Sequence, residues 1–222
     1  MARIDGRHIA MRVTDDRYNR DRLRLELALR LIGHEARTQT IRLWTGLSDD
    51  RIRKLFRAYI RPSAGVRRRR GKSPRQAAFF LRSGAGAEDA QALAAMLLLF
   101  GVIAPAGAMA AGTPYASLAR GRLLCDAFET YRRVVPQPSI DFEHAVYLAG
   151  ALQRGDELRL RWCMSCEAVD VAERAMLRPA HCRACGGVLT AAPAAAAATP
   201  SAITPAAAHD HGRRDTGRLR TH

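Results

Sequence analysis

The chain is 222 residues long, 48% hydrophobic and 6% aromatic. That is apolar material for one sizeable core, alone or with a small satellite, and its Leu- and Ala-rich character weighs against a sheet sandwich and for helices. A formal net charge of +15 at a pI near 10.9 suits a polyanionic partner, nucleic acid before an anionic membrane surface, with plain solubilisation as the bland reading.

Residues 1–19 carry no clear hydrophobic period and read as an N-terminal arm, with no secretory-type apolar run in MARIDGRHIAMRVTDD. In Asp21–Gly33, the alternation of Leu23, Leu25, Leu27, Leu29 and Leu31 has a strand period. Leu, Arg, Glu and Ala are helix formers, however, and Asp21 can cap, so a helix is expected. Between Glu35 and Pro62, two apolar-periodic segments flank Gly46. Ser48 is a good cap for the second, Asp49 and Asp50 fill its first turn, and Ile52, Leu55, Phe56 and Tyr59 recur on its core face. Helix, short glycine turn and second helix give the outline of a helix-turn-helix.

Ser63–Arg75 is a basic loop, and 76–82 a short helix. The uncharged run Ala90–Ala119 has the length of a membrane span, yet Gly101, Pro105, Gly107, Gly112 and Pro114 break it. Only Ala92–Ala104 is densely apolar. It therefore reads as a buried helix over Glu88–Phe100 and then a loop, with Ala92–Ile103 packed in the core or against a partner subunit. Thr113 and Pro114 suggest the start of a helix over Tyr115–Arg133, and Ser139 or Asp141 that of one ending near Arg154. Glu157–Trp162 and Val188–Thr190 read as short strands. After Thr190 the composition collapses to Ala and Pro. The expected organisation is mainly α: arm 1–19, a multi-helix domain 20–156 with a helix-turn-helix-like N-terminal half, a small four-cysteine zinc-ribbon-like module 157–190, and a disordered tail 191–222.

The chemistry concentrates in WCMSCEAVDVAERAMLRPAHCRACGG, residues 162–187. Cys163, Cys166, Cys182 and Cys185 form two C-x2-C hooks at the spacing of a structural zinc site. A two-residue gap lets both sulfurs of a hook face one ion, and four thiolates close the tetrahedron to water, so one Zn2+ per chain would be structural rather than hydrolytic. An iron–sulfur cluster stays open as an alternative; disulfides do not suit the cytoplasmic location expected for a chain without a signal or a span. His181 beside Cys182 is a substitute ligand or simply exposed, and Cys125, without a partner hook, reads as a buried inert thiol.

From Arg51 to Ala87 there is no Asp or Glu, so the positive field is localised. Arg53, Arg57 and Arg61 on or beside the helix after Ser48, and Arg67, Arg68, Arg69, Arg70 and Lys72 in the loop, are candidate DNA contacts. Catalytic motifs are absent, and a helix N-terminus accounts for the acids of SIDFEHAV, so no enzyme is expected.

Taken together, LELALRLIGHEARTQTIRLWTGLSDDRIRKLFR, GKSPRQAAFFLRSG, AVYLAGAL, CMSC and HCRAC make the chain, from about Arg20 to Gly187, resemble the flagellar transcriptional regulator FlhC family. The resemblance implies a mostly helical protein whose four zinc ligands fall on Cys163, Cys166, Cys182 and Cys185. It also implies a hetero-oligomer with an FlhD-type subunit that binds promoters of flagellar operons, activates transcription and helps RNA polymerase start. The arginine-rich loop and the Ala/Pro tail depart from the family pattern. A zinc-ribbon RNA- or ribosome-associated protein is the alternative; a nucleic-acid enzyme would need clustered carboxylates, and the acids here are scattered.

Overall fold

The computed structural model describes residues 16–59, 65–67, 69, 71, 74, 76–81, 85–105, 116–176 and 181–191. Among these, seven helices precede a three-stranded sheet: α1 Asp16–Gly33, α2 Thr38–Thr45, α3 Asp49–Tyr59, α4 Ala78–Leu81, α5 Ala85–Leu99, α6 Leu118–Val134, α7 Phe142–Arg154, β1 Leu158–Cys163, β2 Val169–Glu173 and β3 Leu189–Ala191. No described helix is long and apolar enough to cross a membrane.

The leucine alternation in the first segment resolves as a helix: Leu27, Ala28, Leu31 and Ile32 are buried on one stripe. The helix begins at Asp16, so residues 16–19 are not an irregular arm; residues 1–15 lie outside the described residues. α2 and α3 flank the expected glycine turn. Gly46 takes φ +69°, which glycine adopts at little cost, and its N–H bonds Arg42 O at 2.8 Å. Ser48 accepts from the Arg51 N–H at 3.4 Å as α3 starts. Ile52 and Leu55 are buried, but Tyr59 is 64% exposed, as are its neighbours Arg57 and Ala58 at the end of α3.

α5 is the central helix. Ala90, Leu93, Ala94 and Leu97 are buried, and the chain returns through buried Val102 and Ile103, so most of the apolar stretch serves the intramolecular core, with Leu99 left outside. α6 starts at Leu118, not Tyr115, since Ser117 is the cap and accepts from the Arg120 N–H at 3.3 Å. Thr113 and Pro114 lie outside the described residues. Asp141, one of the two expected caps, starts α7 by accepting from the His144 N–H at 2.9 Å.

The sheet is antiparallel in the order β2–β1–β3, with Arg161 opposite Asp170 and Cys163 opposite Leu189. β2 was not anticipated from the sequence. Leu158, Leu160 and Val171 join the same hydrophobic core as the helices, so the sheet is rooted in the helical body. Cys163, Cys182 and Leu189 form a second, very small cluster. Ala191 belongs to β3, and 192–222 lie outside the described residues.

Candidate metal centre

Two similar tight turns present the four thiols. In the first, at the end of β1, the Glu167 N–H returns to Cys163 O at 3.0 Å and the Ser165 N–H points at Cys163 Sγ at 3.4 Å. In the second, the Gly186 N–H returns to Cys182 O at 2.8 Å and the Gly187 N–H points at Cys185 Sγ at 3.4 Å. The residue after each hook needs a left-handed backbone. Gly186 meets this freely at φ +74°, whereas Glu167 does so at φ +59°, a conformation costly for a residue with a Cβ. The turns are tied together by Met164 N–H to Val188 O at 3.3 Å and by the pairing of β1 with β3.

The donor set fits a single tetrahedral ion. All four Sγ atoms lie within 4.8 Å of one another, with Cys163 to Cys185 at 3.4 Å and Cys166 to Cys182 at 3.6 Å. Four sulfurs held ~2.3 Å from one centre would be about 3.8 Å apart. None of the four is in a disulfide. The approach of the two turns leaves no room at Gly187, where a Cβ would stand 2.6 Å from Ser165 Oγ and 3.0 Å from Cys163 Sγ. Backbone N–H groups of Cys166 and Ser165 draw the Cys163 thiol down to about 6, so a thiolate is in place near neutral pH to begin metal binding. With four thiols on one ion, no position remains for a reacting water.

His181 stays out of the cage: it is exposed, and its Nδ1 lies 3.2 Å from Gly186 O. Cys125 is fully buried, and burial pushes its thiol up to about 12, as expected of an inert core cysteine.

The described basic candidates sit in different settings. Arg53 and Arg57 are exposed on α3, and Arg53 is paired with Asp50 at 2.8 Å. The Arg67 side is exposed, and its backbone N–H donates to Glu35 at 3.1 Å. Arg69 is also exposed but acts as a brace, meeting Glu35 at 3.0 Å and Asp141 at 2.5 Å. Arg61, Arg68, Arg70 and Lys72 lie outside the described residues. The acids of SIDFEHAV have structural roles: Asp141 caps α7 and meets Arg69, and buried Glu143 accepts the Arg37 N–H at 2.8 Å.

Sequence reasoning identified the four thiols. It missed Ser165 and Glu167, whose roles depend on backbone direction. Set against known proteins, the chain matches no family model and no curated relative.

Proposed function

We propose that the chain is the zinc-binding, non-enzymatic subunit of an FlhC-like transcriptional activator, acting in the cytoplasm with an FlhD-type subunit at promoters of flagellar operons, where it assists RNA polymerase. The observation that carries this reading is the convergence of Cys163, Cys166, Cys182 and Cys185, the four positions onto which the resemblance places zinc ligands, at the end of a mainly helical body. Zinc suits an all-thiolate tetrahedral set, and its part is to cross-link two turns too small to fold by burial alone. The helical pair α2–α3, joined at Gly46, supports a helix-turn-helix reading, and the acid-free stretch that starts at Arg51 supports one of positive charge facing DNA.

The test is co-purification with the partner subunit, followed by elemental analysis and footprinting on a flagellar promoter. The expected result is about one zinc per chain, the stoichiometry of one four-thiolate site, and a protected promoter segment. Iron in place of zinc, or no metal, would refute the zinc assignment. An unprotected promoter, or tighter binding to structured RNA, would refute the activator reading.

A further inference from the structure

The geometry points to one exposed ridge, Arg51–Lys54–Arg57 on α3 continued by Arg20 of α1, as the surface that grips the phosphates of duplex DNA, with Arg69 tied to the body by Glu35 and Asp141; this rests on the DNA-binding reading above. The ridge follows from helix phase. Ile52 and Leu55 are buried, while Arg51, Arg53, Lys54 and Arg57 are all exposed. Arg51, Lys54 and Arg57 succeed one another at i, i+3 spacing, so they are surface neighbours over about 9 Å of helix. Arg51 also approaches Asp21 of α1 at 4.0 Å, which brings α3 against the segment that carries Arg20.

Pairing within the protein decides which cations are available. Arg53 is held by Asp50 at 2.8 Å, Arg42 faces Asp49 at 3.7 Å, and Arg69 spans Glu35 and Asp141. Among the described residues, Arg20, Lys54 and Arg57 join no ion pair, and Arg51 has only Asp21, which also meets Arg24 at 3.4 Å. A cation already matched by a carboxylate has little counterion to release on meeting a phosphate; an unmatched one releases it fully. The only acids of α3 are Asp49 and Asp50 in its first turn, so its field becomes more positive toward Arg57. Arg20, Arg51 and Lys54 are new to this set, while Arg53 and Arg69 leave it, Arg69 as a positioning residue.

Cations near the C-terminal end of α3 also complement its dipole, so the experiment must separate binding from folding. Full-length, zinc-loaded protein is titrated by fluorescence anisotropy with a random-sequence DNA duplex over a range of salt concentrations. Lys54→Gln/Arg57→Gln is compared with Arg122→Gln/Arg133→Gln, which removes the same charge from exposed positions on α6. α3 meets α1 at Asp21 and α6 meets it at Arg30, nine residues on and half a turn around, so the two pairs lie on different flanks.

The ridge pair is expected to lower the slope of log K against log salt by about 2, near 0.9 per lost phosphate contact. The α6 pair should leave the slope unchanged, and both should melt like the parent. Equal losses from both pairs would mean a diffuse field and overturn the ridge, as would an unchanged slope for Lys54→Gln/Arg57→Gln. If the parent binds structured RNA more tightly than the duplex, the DNA assignment falls even where the ridge variants weaken binding. If the parent binds neither, the activator reading falls and the ridge with it.

Discussion

His34 shows how one side chain sets a pH response. It stacks on Phe142 with ring centroids 5.2 Å apart, and its Nε2 meets Glu129 at 2.8 Å. Burial lowers its pKa below the usual value despite the carboxylate. Glu129 is lowered too, for a different reason: hydrogen bonds from Arg30, at 2.7 and 2.8 Å, draw it down to about 2. As pH falls through about 6.5, the unfolded chain takes up a proton that folded His34 resists, so stability declines. A second decline follows below about 4.5, where unfolded Glu129 protonates, and that contribution is gone by about pH 2. Glu129→Gln is expected to remove the second decline and to cost on the order of 1 kcal/mol at neutral pH, after solvent screening of a partly exposed pair. Thermal melts across pH 2–8 check this; curves that stay parallel for variant and parent would remove Glu129 from the account.

At the scale of elements, one polar cluster joins the sheet to the helices. Arg161 of β1 donates twice to Asp170 Oδ2 of β2, at 2.9 and 2.5 Å, and Gln91 of α5 donates to Asp170 Oδ1 at 2.6 Å. Both charged partners are buried, so each depends on the other. Asp170→Ala strands the guanidinium and should cost ~3–5 kcal/mol. The double change Arg161→Met/Asp170→Leu should recover much of that, since well-packed apolar side chains can replace a buried pair. Urea denaturation of both variants decides the matter; a double variant as unstable as the single would show that the cluster specifies the strand register as well as neutralising a charge.

For the whole molecule, the division between the two hydrophobic clusters predicts what metal removal does. β1 and β2 contribute Leu158, Leu160 and Val171 to the core that also contains α1, α5, α6 and α7. Beyond them, the cysteine turns rest on Cys163, Cys182 and Leu189, with Ala168 beside them. Burial there is too slight to offset the entropy of ordering two turns, and Glu167 adds backbone strain. Chelation is therefore expected to release the amides of Glu167, Gly186 and Gly187 to fast hydrogen exchange while the helical circular dichroism persists. Loss of the helical signal together with those amides would show that the metal supports the entire fold.

Much of this was readable from local chemistry. The C-x2-C spacing, the turn at Gly46, the cap at Asp141 and the breakers after Phe100 act within a few residues, so their consequences follow from sequence neighbours. β2 was not readable, because Val169–Glu173 is a strand only through its antiparallel pairing with β1. Nor was the fate of the arginines: Arg57 and Arg69 look alike in the chain, and only the approach of Glu35, in the turn after α1, and Asp141, the cap of α7, ties Arg69 to the body. Short-range rules determined the helices and the sulfur ligands; long-range placement of opposite charges decided which cations remain available to a partner.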